Sequence, residues 1–176
     1  MYKECEWISE PIKIPDNIYT EEVEEALYKI FRDEIYDVDW YYKGKKVNMR
    51  RHPMYRGKEE IFFHIISGKN NPMIDDCQTD IDRVARLRWG KEIIEHEPCK
   101  NEGTCCKGIL FWEYKDNNTN RTRTKLFHCK LNYLVILEER SDYWLYITSY
   151  RVSGTYRRRE ELKQAHDYIN KKRLAT

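Results

Sequence analysis

Apolar positions recur at helical spacing first in "EEVEEALYKIFRDEIY", where Val23, Ala26, Leu27, Ile30 and Phe31 form one stripe. Thr20 stands before it as an N-cap, and the first turn is acidic, so the pattern predicts a helix over residues 21–36. "DWYYKGKKVNMRRHPMYRGKEE" is broken by Gly44, Pro53 and Gly57 and reads as a loop holding one short strand. "EIFFHIIS" is apolar on both sides of an extended chain, which predicts a central strand with Phe62, His64 and Ile66 on one face. In "TDIDRVARLRWGKEIIEHE", Thr79 and Asp82 have capping-box spacing, and Ile81, Val84 and Ala85 form a stripe. A continuous helix would put Arg88 inside that stripe, so the helix should end or bend between Arg88 and Gly90. Arg83 and Arg86 then share the opposite, polar face.

The rest of the chain reads as β. "GILFWEYKD", "RTKLFHCK", "YLVILEE" and "YWLYITSYRV" are rich in β-branched and aromatic residues, with "EERSD" as a hairpin loop between the last two. In the final strand Thr148 and Tyr150 share one face and Ser149 takes the other. A basic helix follows Gly154 and closes the chain. This order predicts an α+β fold. Its sheet is mainly antiparallel, of about four to five strands, packed with N-terminal, middle and C-terminal helices. The 176 residues make one domain, with an acidic helical segment at 1–40 and a core at 41–176.

Composition adds two constraints. Charged residues are 35% of the chain, yet aromatics reach 14%, which argues against disorder. No apolar run approaches the ~18 residues of a membrane span, and the first residues lack a signal-peptide pattern, so a cytoplasmic protein is expected.

Charge changes the picture more, because the net +2 hides a gradient. Residues 1–40 carry four basic and twelve acidic residues, a balance of −8. Residues 151–176 carry eight basic and three acidic, a balance of +5. A basic surface of this kind suits a polyanion. The acidic helix has two readings. Its carboxylates form a solvated face, or Glu21, Glu22, Glu24 and Glu25 sit near the basic surface and restrain access to it.

No phosphate-binding loop, dinucleotide fingerprint, zinc-protease motif or nucleophile elbow is present, and no carboxylate cluster suggests magnesium. No cofactor is expected. His96, Cys99, Cys105 and Cys106 are ligand types that suit zinc, but they lack a paired CxxC knuckle. Free thiols are therefore the reading, with these four residues as the alternative metal set. The polar groups that look out of place are His64, Arg83, Arg86 and the end of the last strand, Ile147-Thr148-Ser149-Tyr150. They are the types needed to cleave RNA without metal. Histidine can carry either proton. Arginine's fork matches phosphate oxygens. Hydroxyls can hold phosphate or carry a proton.

"IFFHIIS", then "TDIDRVARLRWGKEII", then "YLVILEERSDYWLYITSYRV" before a basic helix resembles the phage- and island-encoded branch of the barnase/EndoU/colicin/RelE-like (BECR) nucleases. The resemblance covers roughly residues 40–170, and none of its motifs is specific alone. Thr148-Ser149-Tyr150 stands where the family has Thr-Ala-Tyr, and Arg83-Val84-Ala85-Arg86-Leu87 matches its helix. Ala85 and Arg88 stand where an acidic residue and a proline are expected, and the cysteine-rich "EPCKNEGTCCKG" has no counterpart.

The resemblance implies a small metal-independent endoribonuclease, a toxin or phage-conflict effector. His64 would be general acid/base, Arg83 and Arg86 the phosphate clamps, and Thr148 and Tyr150 the hydroxyls at the scissile phosphate. Arg157, Arg158, Arg159 and Lys163 would bind RNA, and an antitoxin or inhibitor protein would be a further partner. The alternative is a non-catalytic RNA- or protein-binding module on a degenerate nuclease fold.

Overall fold

The structure is a computed structural model and describes residues 7–67, 80–97 and 108–175. Helix α1 (Glu21–Phe31) starts at Thr20, whose hydroxyl accepts from the Val23 amide at 3.2 Å. It runs into a π-helical turn at Arg32–Tyr36. The segment expected to be a loop with one strand forms four short strands: β1 (Tyr41–Tyr42), β2 (Lys45–Asn48), β3 (Met54–Tyr55) and β4 (Lys58–Glu59).

Residues 60–67 are helix α2 (Glu60–Ser67), not the expected central strand. A short run that is apolar on both sides fits a buried helix as well as a buried strand. Here Ile61, Phe62, Phe63, Ile65 and Ile66 are all buried, and only the line Glu60, His64, Ser67 is partly exposed. Those three residues are spaced by four and three, so the exposed stripe has a helical period.

The middle helix breaks at residues 86–88, slightly before the expected Arg88 to Gly90, into α3 (Ile81–Ala85) and α4 (Trp89–Glu95), and Gly90 lies within α4. The cap of α3 is Asp80 rather than Thr79. The β region forms β5 (Ile109–Lys115), β6 (Thr122–His128), β7 (Tyr133–Glu139) and β8 (Tyr143–Arg151), and α5 (Thr155–Leu174) follows.

The fold is α+β, with a six-stranded sheet in the order β1-β2-β8-β7-β6-β5. Strands β5 to β8 are an antiparallel meander, whereas β2 joins β8 in parallel, so the sheet is larger than expected and mixed. One face, with Leu126, Tyr133, Val135, Leu137 and Tyr146, packs on Leu27, Phe31, Phe62, Val84 and Trp89 from the first four helices. The other face, with Trp112, Phe127, Leu134 and Ile136, packs on Ala165, Leu162 and Tyr168 of α5. No helix among the described residues is long and apolar enough to cross a membrane.

Ion pairs fasten α1 to the β3–β4 hairpin. Glu24, itself buried, holds Lys58 at 3.0 Å and Arg56 at 3.2 Å, and Lys58 also reaches Glu25 at 2.6 Å. Glu59 accepts from Tyr28 and from Arg32, each at 2.8 Å. Two of the four carboxylates considered as a restraint on the basic surface are thus paired within the hairpin. Leu27 and Phe31 of the stripe are in the core.

His128 is fully buried at the end of β6, and its Nδ1 accepts from the Leu131 amide at 3.2 Å. Burial lowers its pKa from 6.5 to about 4. Between those values the unfolded chain binds the proton more readily, so stability is full above about pH 6.5 and is lost as pH falls towards 4. The expected loss is roughly 3 kcal/mol. Urea melts at pH 7 and pH 4.5 check this: His128→Asn should flatten the difference, and an undiminished difference would contradict it.

Candidate functional site

The polar cluster begins at α3. Asp80 caps it by accepting from the Asp82 and Arg83 amides at 3.0 and 3.3 Å. That start directs Arg83 across to β8. Strand β2 pairs with β8 only along Tyr143 to Leu145, so the edge beyond has no strand partner among the described residues. Arg83 takes that place: Nη1 donates to the Ser149 carbonyl at 3.4 Å, and the guanidinium lies 5.0 Å from the centre of the Tyr150 ring. Nε lies 3.7 Å from the Asp80 carboxylate, and the side chain is 16% exposed.

Arg86 is more enclosed, with 8% side-chain exposure. It is paired with the Asp82 carboxylate, donates to the Asp82 carbonyl at 2.9 Å and stacks 4.9 Å from the Trp89 ring. An arginine so engaged cannot clamp a phosphate unless α3 moves. Thr148 is buried on the sheet face that α5 covers, and its hydroxyl has no partner among the described residues. Tyr150 shares that face, half-buried, and burial raises its phenol above the ordinary value. The expected division of Thr148 and Tyr150 from Ser149 therefore holds. His64 lies on α2, half-buried, and α2 packs against both α3 and β8.

The sequence singles out neither Tyr133 nor Tyr146, and it gives Ser149 no role beyond its place on the face opposite Thr148 and Tyr150. The Ser149 hydroxyl meets the Tyr133 hydroxyl at 2.9 Å and accepts from Tyr146. Tyr133 also donates to the Arg86 carbonyl at 3.3 Å. Burial pushes the Tyr133 phenol up to about 12 and raises Tyr146 as well, so both hydroxyls stay protonated. This cluster depends on a bulge: Leu137 pairs with Tyr146 and Ile136 with Thr148, which leaves Ile147 as the extra residue. Three residues apart on a regular strand, Tyr146 and Ser149 would face opposite ways; the extra residue puts them on one face. The sequence carries no local signal for it.

A groove of about 550 Å³ opens where the start of α3, the end of β8 and the start of α5 meet. Asp80, Asp82, Arg151, Thr155 and Arg158 line it, and His64 is not in its lining. Arg151 lies 3.7 Å from Asp82, so an entering phosphate must compete with two carboxylates for the cations. Of the basic residues of α5 expected to bind RNA, only Arg158 lines that groove. Arg157, Arg158, Arg159 and Lys163 are all exposed, with no carboxylate partner among the described residues.

Among the described residues no group of three or more His, Cys, Asp or Glu side chains could hold a metal ion. Of the alternative zinc set only His96 is described; it stacks on Trp7 at 4.5 Å, and its Nδ1 meets the Glu92 carbonyl at 2.8 Å. Cys99, Cys105 and Cys106 lie outside the described residues. No family model, curated relative or solved structure matches the chain.

Proposed function

We propose that the protein binds single-stranded RNA along the exposed face of α5. The observation that carries this is the helix itself: of its 20 residues only Ala165 is fully buried. Tyr156, 76% exposed, lies on one stripe with Arg159 and Lys163, at spacings of three and four. Cations that follow a phosphate backbone beside an aromatic ring that stacks on bases are the two parts of single-strand binding. Binding to a labelled oligoribonucleotide, with DNA of the same sequence and anionic vesicles alongside, tests the choice. Preference for DNA or for vesicles would overturn it.

A second reading is metal-independent cleavage of the bound RNA, favoured by the meeting of α3, the end of β8 and the start of α5 at one groove. Arg83 is the better placed of its two arginines, since it is less enclosed than Arg86 and touches both Ser149 and Tyr150. RNA incubated in EDTA should then be cut. His64→Ala should reduce the rate by ~10²–10⁴ if the imidazole moves a proton. Arg83→Lys keeps the charge, loses the planar fork and should slow cleavage at least ~10-fold. Intact RNA with the wild-type protein would leave binding as the function, and wild-type rates for both variants would remove these residues from the site.

A further inference from the structure

One open feature among the described residues that the RNA reading does not use is a cleft of about 720 Å³. It lies between the π-helical turn after α1, the segment that leaves β2, and the β7–β8 turn. This is the opposite end of β8 from the groove at α5, because Tyr143 lines the cleft and opens the strand that Arg151 closes.

The charges of the cleft do not cancel. Its two carboxylates are already engaged: Asp37 accepts from Arg32 at 2.7 and 2.9 Å, and Asp39 is paired with Lys46. Arg50 and Arg51 are exposed and have no ion-pair partner among the described residues. Two adjacent guanidiniums left over in a concave site favour a doubly charged acceptor, and their forks match phosphate oxygens. The open surface of the cleft is mainly polar; the half-buried rings of Tyr36 and Tyr143 lie beside these cations, and Trp40 is buried beneath them. The volume is that of a small-molecule site.

We propose that this cleft binds a phosphate monoester attached to a planar base, the phosphate on Arg50 and Arg51 and the base against the tyrosine-lined wall. Such a group is offered by a free nucleoside monophosphate or by the 5′-end of an RNA strand. The inference does not depend on RNA binding by α5. The test is calorimetric titration of the full chain with adenosine 5′-monophosphate, adenosine and inorganic phosphate, and with one short oligoribonucleotide bearing a 5′-phosphate or a 5′-hydroxyl.

Adenosine monophosphate should bind at least ~10-fold more tightly than either fragment, because both halves of the site are used. Arg50→Ala/Arg51→Ala should weaken it ~10-fold or more while leaving the melting midpoint unchanged. Arg157→Ala/Arg158→Ala/Arg159→Ala should leave it as it is, which separates this site from the RNA face. Dependence on Arg50 and Arg51 seen only for the 5′-phosphorylated strand would assign the site to RNA ends. No binding of any phosphate-bearing probe at millimolar concentration would overturn the proposal, as would equal affinity for adenosine and its monophosphate or an undiminished affinity in the double variant.

Discussion

Gly90→Ala is expected to destabilise the protein by roughly 1–3 kcal/mol or more, as overpacking of a close-packed interior does. A Cβ at Gly90 would lie 2.4 Å from the Tyr146 hydroxyl oxygen and 2.8 Å from the Ser149 Oγ. Neither atom can retreat at small cost. Tyr146 donates to Ser149, and Ser149 also meets Tyr133, with all three residues buried. Displacing one hydroxyl leaves buried polar atoms unpaired. In urea the midpoint should fall by about 1 M for a domain of this size. Tyr146→Phe in the same chain removes the nearest atom and should restore part of the loss. A Gly90→Ala protein that melts like the wild type would show that α4 does not lie this close to β8.

The second large effect is on binding. Arg157→Ala/Arg158→Ala/Arg159→Ala should weaken single-stranded RNA binding by about 100-fold at 0.1 M salt. The figure follows from counterion release, in which each phosphate contact on a single strand contributes roughly 0.7 to the log–log salt slope. Three contacts then contribute about two log units per decade of salt. Folding should be untouched, because these side chains are exposed. Arg158 also lines the groove beside Asp80 and Asp82, so Arg159→Ala/Lys163→Ala, which spares that groove and lies on the Tyr156 stripe, should still lose ~10-fold or more.

How much of this was legible in the sequence depended on whether the signal was local. Thr20 and the stripe through Leu27 and Phe31 define α1 by themselves, and Arg88 marks the break between α3 and α4. The β-branched and aromatic residues of β5 to β8, separated by short polar connections, mark the four strands. Burial on nearly all sides hides the helical period of α2, so its sequence fits a strand equally well, and only Glu60, His64 and Ser67 betray the helix. The parallel pairing of β2 with β8 joins residues almost a hundred positions apart, and two- to four-residue strands carry little pattern.

The candidate site divides along the same line. Arg83 and Tyr150 stand out in the sequence as residue types and meet in the structure, and the basic face of α5 is exposed. That Arg86 and Thr148 are enclosed follows from tertiary packing, and so does the Tyr133–Ser149–Tyr146 cluster created by the Ile147 bulge. No spacing rule announces a bulge whose partner is another strand.

The central claim is that α5 is a single-stranded RNA surface, and one measurement tests it most directly. Anisotropy titrations of a labelled 12-nucleotide RNA, repeated from 50 mM to 400 mM salt, give the slope of log affinity against log salt. For the wild type the slope should be about −2 or steeper, and in the Arg157, Arg158, Arg159 alanine variant it should be shallower by about 2. No binding at 50 mM, or a slope that the three substitutions leave unchanged, would contradict the account.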